Sequence, residues 1–434
     1  MKKLFQFKLK ILTKLILKKY KPRVVSITGS VGKTTTKDAV YAVLSKNFNC
    51  RSSFKNFNNE FGVPLTVLGI EDAPGRSIWD WLLVFIRGCK LLLLKDKEYP
   101  ELLILEMGVD KPGDMAYLTS FIKPDIAIVT SVSQSHLEFF KKIENIQQEK
   151  AVLVQNVKKT GTTILNYDNV YSRDMSNLSK AEVFSYGLKT GASLQAQELM
   201  FNFQRFRDDE SSLEKIRGIS FKLNYQGAVI PARLPLLTSF TAVYGALAGA
   251  LAGLSLGMNL VDVAQALESF RMPAGRMNII SGIKDTFLID DTYNASPEST
   301  KLALKLIQQM KFSGPMRKLV VLGDMLELGS YTEEGHREVG HMIADHNMDM
   351  IIAVGEKSRD IIRGAIDKGF PKDKTFYFNK SDDAGRFLQE KLQVNDLVLI
   401  KGSQGVRMER VVKEVMAEPL KAEELLVRQE KSWL

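Results

Sequence analysis

Apolar residues recur at two different periods along this chain. In the first twenty-one residues, MKKLFQFKLKILTKLILKKYK, Phe5, Leu9, Leu12 and Ile16 share one helical stripe, and Lys10, Lys14, Lys18 and Lys21 share another. That pattern predicts a basic amphipathic helix. From residue 24 to about residue 166 the period shortens, and the apolar runs VVSIT, LLILEMG, PDIAIVTSV and TTILNYD are separated by helical patterns, the first of which starts at Lys33. Short apolar runs alternating with helices predict a parallel sheet covered on both faces, with ligands beyond the carboxyl ends of its strands. Residues 181–235 carry more strand pattern, and FTAVYGALAGALAGLSLGM from Phe240 reads as a small-residue helix suited to close packing. RMPAGRMN, from Arg271, breaks the pattern; then TFLIDDTYN, KLVVLGDM, DMIIAVGE and DLVLIKGS restart the alternation as a second α/β unit.

Bulk properties narrow this reading. At 434 residues the chain has room for two or three domains, and 45% hydrophobic with 25% charged residues is a globular composition. The only cysteines, Cys50 and Cys89, supply neither a disulfide framework nor a cysteine zinc cluster, so a cytoplasmic setting is expected. The formal net charge of +10 suits an acidic partner, and eight lysines fall in the first twenty-one residues. That segment has no cleavage site and is too short to span a bilayer. It is read either as a helix packed on its own domain or as a peripheral contact with the inner face of a membrane. A second apolar segment, IWDWLLVFIRGCKLLLL from Ile78, carries Asp80, Arg87 and Lys90. It is expected to be a buried helix, with membrane contact as the alternative.

The first chemical motif is VVSITGSVGKTTTKDAV, from Val24. A strand runs into a turn with Gly29 and Gly32, and a helix follows from Lys33. The amides of Gly29, Ser30, Val31 and Gly32 can line a phosphate nest, and the helix adds its positive dipole end. Lys33 can reach terminal phosphates, while the Thr34 hydroxyl, followed by Thr35, can ligate magnesium. The Gly-x-x-Gly-Lys-Thr spacing is two residues shorter than the usual phosphate loop. ATP is the expected ligand.

The same loop, together with NFNNEFGVPLTVL from Asn56, resembles the Mur ligase family, ATP-dependent enzymes that form amides in peptidoglycan synthesis. DDTYNASP from Asp290, GDMLELG from Gly323, His336 and KGSQGVRMER from Lys401 are similar to the branch of that family that adds D-alanyl-D-alanine to a muramyl tripeptide. The resemblance runs from about residue 24 to about residue 415. After the basic helix (residues 1–22), it implies a central P-loop-type parallel-sheet ATPase domain (23–277) and a Rossmann-like α/β carboxyl-terminal domain (278–434). Two magnesium ions are implied, with Thr34, Glu106 of LEMGVD, His136 of SQSHLEFF and a carbamylated Lys150 of NIQQEKAVLV as candidate ligands. Arg276 is implied to reach the nucleotide phosphates, and Asp291, Tyr293 and Asn294 to border adenine and ribose. Asn58 and Asn59 are implied to bind substrate or phosphate, although asparagines also favour turns for local reasons. Asp324, Glu327, His336, Lys401 and Ser403 are implied to lie toward the amine substrate.

The resemblance implies that ATP converts a carboxylate into an acyl phosphate, which an amine then displaces. Charge develops on phosphoryl oxygens in the first step, so cations and positioning carry the catalysis. Members of this branch usually have a separate domain before the phosphate loop that grips the UDP part of the donor. Here the basic helix stands in that place, so the expected donor is UDP-muramyl tripeptide or a lipid-linked equivalent. Thr241, Ala242 and Gly245 stand where the family often shows a His-Asn-x-x-Asn pattern. The rival readings are another amino-acid ligase on the same fold, such as a folylpolyglutamate-synthase-like enzyme, and a non-catalytic nucleotide-binding membrane scaffold. Nucleic acid is not an expected partner, because the lysines concentrate on the terminal helix and no basic patch is interleaved with aromatics.

Overall fold

The computed structural model describes residues 2–53, 57–71, 74–75, 77–134, 137–205, 214–235, 239–310 and 316–430. Within them the first sheet has nine strands: β1 (Arg23–Thr28), β2 (Cys50–Ser52), β3 (Leu102–Glu106), β4 (Ile126–Val129), β5 (Thr162–Asn166), β6 (Glu182–Gly187), β7 (Leu194–Arg205), β8 (Glu214–Tyr225) and β9 (Ala228–Pro235). Their spatial order is β2-β3-β1-β4-β5-β6-β7-β8-β9. Pairing is parallel as far as β7, and β7, β8 and β9 form an antiparallel meander. Both faces of the parallel part are buried, which explains the nearly unbroken apolar runs. Val25, Ile27, Ile104 and Ile128 enter one core, while Val24, Leu103, Leu105 and Val129 enter the other.

Four helices bear on the site and its surroundings: α1 (Lys2–Tyr20), α2 (Lys33–Leu44), α3 (Gly62–Leu68) and α4 (Ile78–Leu93). The helix Phe240–Ser255 crosses α2 closely. A Cβ at Gly245 would stand 3.2 Å from the Thr35 carbonyl, and one at Gly249 would stand 3.0 Å from that of Ala39, so the small residues set the approach of the two helices. Helix α1 packs on the sheet's second core through Leu9, Leu12 and Ile16. Tyr20 and Lys19 fasten its end by donating to the Leu91 carbonyl at 2.9 and 2.8 Å.

The expectation of a buried helix for the second apolar segment is corrected. Only one flank of α4 is buried, through Val84 and Leu91, while Trp79, Leu82, Leu83, Ile86 and Leu93 are exposed. Helix α1 lies against a second flank, with Phe5 on Trp81 and Phe85, and no described element covers the remaining one.

The second sheet contains β10 (Asn278–Gly282), β11 (Thr286–Asp291), β12 (Lys318–Gly323), β13 (Met350–Val354), β14 (Thr375–Phe378) and β15 (Leu397–Lys401), in the order β10-β11-β15-β12-β13-β14. Strand β10 is antiparallel to β11, and the other pairings are parallel. The four apolar runs read from sequence are β11, β12, β13 and β15. Strands β10 and β14 are the edges, and with one neighbour each they bury less than the central strands. Their apolar signal is correspondingly weaker.

Candidate functional site

Strand β1 lies between β3 and β4, so the chain leaves the middle of the sheet at the point where connections diverge to either side. The phosphate-type loop sits at that carboxyl end. Gly29 is pressed against the Thr130 side chain, leaving no room for a Cβ. Gly32, the N-cap of α2, has φ 84°, in the left-handed region that favours glycine. The chain after β4 tethers the loop: the Ser30 amide donates to the Ser131 carbonyl at 2.7 Å, and the Thr130 hydroxyl donates to the Val31 carbonyl at 2.7 Å.

Beside the loop, the buried carboxylate of Glu106 ends β3. It accepts from the Thr34 hydroxyl at 2.9 Å and from the Asn58 amide at 3.0 Å. The Lys33 ammonium donates to the Gly29 carbonyl at 2.8 Å, and Lys150, from the helix Ile143–Gln155, donates to the same oxygen at 3.1 Å. Burial lowers the Lys33 pKa, and Arg276 lowers it further while Glu106 opposes. Lys150 falls well below the usual lysine range, chiefly through burial and then through the nearby Lys33 charge.

Magnesium prefers hard oxygen donors and commonly keeps waters and substrate phosphates beside one or two carboxylates. Thr34 and Glu106 offer such a pair next to the loop amides, so the donor set fits that ion. Among the described residues no three His, Cys, Asp or Glu side chains gather into a metal cluster. His136 lies outside the described residues.

The second sheet brings its own carboxyl edge to the same place. A cavity of about 270 Å³ is lined by residues 30–35, Asn58, Glu106 and Asp110 on one side and by Arg276, Asp291, Tyr293, Asn294, Glu327 and Lys401 on the other. The Arg276 guanidinium stacks on the Tyr293 ring at 4.0 Å. Lys401 is buried and donates to Asp291 at 2.6 Å and to the Asn294 carbonyl at 2.9 Å. Lys401 therefore fixes the segment 291–294. A larger cleft of about 1290 Å³ shares Thr34, Arg276 and Tyr293 with this cavity and extends past Arg51 to Arg87 on α4.

Several residues expected to meet the amine substrate have their polar atoms engaged within the protein. His336 is fully buried. Its Nε2 accepts from the Met325 amide at 3.0 Å, and its Nδ1 lies 2.6 Å from the Thr332 carbonyl, a geometry that puts the ring proton on Nδ1. Burial lowers its pKa, consistent with a neutral ring. Ser403 accepts from the Leu326 amide at 3.0 Å, and Asp324 accepts from the Ser358 amide at 2.8 Å. These three hold residues 324–328, from which Glu327 lines the cavity. Asn59 caps the turn into α3 by accepting from the Phe61 and Gly62 amides at 3.1 and 3.0 Å, the local role open to an asparagine.

Two contributors are not among the residues singled out from the sequence. Asp110 lines the cavity and its charge bears on both Lys33 and Lys150; its signal was its place four residues after Glu106 in LEMGVD. Arg428 is buried and donates to the Thr292 carbonyl at 2.6 Å, the Tyr293 carbonyl at 3.1 Å and Glu409 at 2.8 Å. A lone arginine in a charged tail gave no signal.

Residues 27–76 and 86–251 match the family model of the Mur ligase middle domain, and residues 275–404 match that of the Mur ligase glutamate ligase domain. A Bacillus subtilis UDP-N-acetylmuramoyl-tripeptide--D-alanyl-D-alanine ligase is 30% identical over 409 residues, covering 94% of this chain and 79% of the relative. The structure of MurF from Thermotoga maritima in complex with ADP superposes with a TM-score of 0.75 at 23% identity, over 96% of this chain and 84% of that one. MurF from Acinetobacter baumannii gives 0.75 at 23% identity, over 94% and 79%.

Proposed function

The chain belongs to the Mur ligase family, and we propose from that membership that it joins D-alanyl-D-alanine to a muramyl tripeptide in the cytoplasm, using ATP. The observation that carries the reading is the cavity in which Thr34 and Glu106, 2.9 Å apart, face Arg276 and Tyr293 across the phosphate loop. We take residues 23–277 as the ATP-binding domain and 278–434 as the domain that brings the amine.

In the first step an oxygen of the donor carboxylate forms a bond to the γ-phosphorus of ATP. The bond from that phosphorus to the β–γ bridging oxygen breaks, and ADP leaves. The loop amides and the α2 dipole hold the phosphates, and Lys33 and Arg276 offset the charge that spreads over the transferring oxygens. Magnesium, held by Thr34 and Glu106, would supply further charge neutralisation at the phosphates. In the second step the neutral amine of D-alanyl-D-alanine attacks the acyl carbon. The carbon–oxygen bond to phosphate breaks, and the amine proton is lost to solvent or phosphate. Arg276, stacked on Tyr293 and facing Thr34 and Glu106, is the cation through which nucleotide binding is coupled to closure.

The reading extends to Lys150. Burial and the Lys33 charge lower the Lys150 pKa, which favours the neutral amine that can add carbon dioxide, giving a carbamate and a proton. Its carboxylate would make a further magnesium ligand. Carbon-13 NMR of protein equilibrated with labelled bicarbonate is expected to show one carbamate signal, absent in Lys150→Arg.

The donor is read as UDP-muramyl tripeptide. A lipid-linked form is the second reading, favoured by the large cleft that runs from Thr34 to Arg87 on the partly exposed α4. Phosphate release measured with each donor, with and without D-alanyl-D-alanine, tests both. Release that requires donor and amine together is expected, and amine-independent ATP hydrolysis with every donor would overturn the ligase reading.

A further inference from the structure

Helices α1 and α4 lie side by side and run in the same direction. Phe5 meets Trp81 and Phe85, Gly88 abuts Leu12, and Lys19 and Tyr20 bond to the Leu91 carbonyl. Each helix turns one stripe into the domain: Leu9, Leu12 and Ile16 from α1, Val84 and Leu91 from α4. At about 100° per residue, the opposite stripe of α1 is Leu4, Phe7, Ile11 and Leu15, and that of α4 is Trp79, Leu82, Ile86 and Leu93. All eight are exposed. Because the buried stripes face the same core, the outer stripes face the same way and form one apolar surface two helices wide. Phe7 is 59% exposed, Leu4 57% and Trp79 70%, so these are whole side chains in water rather than edges of a core. A contiguous patch of this kind marks a docking surface.

We propose that this two-helix face is a docking surface for an anionic phospholipid bilayer, lying in the headgroup boundary without crossing it. Charge complementarity identifies the occupant. Helix α1 contains no acidic residue, and Lys8, Lys14 and Lys18 are exposed within or beside its outer stripe. Lys90, Lys95 and Lys97 are exposed at the far end of α4; Asp80, half-buried in its first turn, and Asp96 and Glu98 just past its end are the neighbouring acids. The core of a protein interface is depleted of lysine. Here lysines interleave with the apolar residues, as suits side chains whose stems lie along acyl chains while their ammonium groups reach lipid phosphates. Trp79, an aromatic with a polar N–H, suits the same boundary. No described helix is long and apolar enough to cross a membrane. Vesicle binding needs neither ATP nor a muramyl substrate, so this inference stands apart from the ligase reading.

The test is co-sedimentation of the full chain with vesicles of phosphatidylglycerol and phosphatidylcholine, compared with phosphatidylcholine alone. Binding to the anionic vesicles that weakens with added salt is expected. Phe7→Glu with Ile86→Glu should reduce partitioning by more than about tenfold, since burial of several methylenes is lost from each side. Lys8, Lys14 and Lys18 changed together to Gln should reduce binding to the anionic vesicles toward the level seen with phosphatidylcholine. All five positions are exposed, and an unchanged thermal midpoint confirms folding. Retention of the native chain in the supernatant with both vesicles would overturn the proposal, as would equal binding by the double variant. A dimer in sedimentation velocity that the double variant dissolves, without vesicle binding, would assign the face to self-association instead.

Discussion

At the carboxyl edge of the first sheet, Lys33 and Lys150 donate to one main-chain carbonyl, that of Gly29, while Glu106 is bonded to Thr34 and Asn58. At the edge of the second sheet, Lys401 is paired with Asp291 at 2.6 Å, and Arg428 with Glu409 at 2.8 Å. Both edges bury charge, but the first presents lysines whose bonds are to a neutral carbonyl, and the second closes its charges on each other. The lowered pKa values of Lys33 and Lys150 record the cost of that arrangement, which an arriving polyphosphate would relieve. The second edge is built as a rigid wall that carries a few cavity-facing groups.

Breaking the first edge should have the largest effect. Lys33→Ala is expected to reduce amine-dependent phosphate release on the order of 10³-fold with little change in the unfolding midpoint; a variant of full activity would remove the phosphate-loop assignment. Breaking the second edge should instead appear in stability. Lys401→Ala leaves Asp291 buried without its partner and should cost about 3 to 5 kcal/mol in urea unfolding, most of it recovered when Asp291→Leu is combined with Lys401→Met. Arg276 belongs to both edges by position. Its replacement by Ala should raise KM for ATP by about tenfold, and Lys should restore little because the stack on Tyr293 needs a planar guanidinium.

A pH dependence sharpens the comparison further. Asp290 is fully buried next to Asp291, and burial pushes its carboxyl from 3.8 up to about 7. The unfolded chain therefore releases this proton first. Stability from this group is full below pH 3.8 and declines as pH rises toward about 7, at no more than about 1.4 kcal/mol per pH unit. Asp290→Asn should flatten that part of the stability curve. An identical pH dependence in the two proteins would show that the carboxyl is ionised without penalty.

The first edge was far more legible in the sequence than the second. A glycine turn followed by Lys33 and Thr34 announces its chemistry because main-chain geometry and residue type are set within six positions. Glu106 was legible because it closes an apolar run. His336, Ser403 and Asp324 were recognisable as belonging near the site, but their work of holding residues 324–328 depends on contacts between segments distant in sequence, which periodicity does not carry. Arg428 shows the limit most clearly, since the two carbonyls it clamps stand 135 and 136 residues earlier. The same limit applies to α4, whose hydrophobic pattern shows apolar character without showing which flank another helix covers.

That long reach of Arg428 has a consequence for synthesis on the ribosome. The turn at Thr292 and Tyr293 emerges early, yet the guanidinium that clamps both carbonyls is translated after β12, β13, β14 and β15 have all been made. Local pieces of the second unit can form as they appear, but the turn at Thr292 and Tyr293, which lines the cavity, receives its last contact from a residue of high sequence separation. A chain ending before residue 428 would thus carry the phosphate loop opposite a wall held by Lys401 through Asp291 and Asn294, without the clamp on the Thr292 and Tyr293 carbonyls.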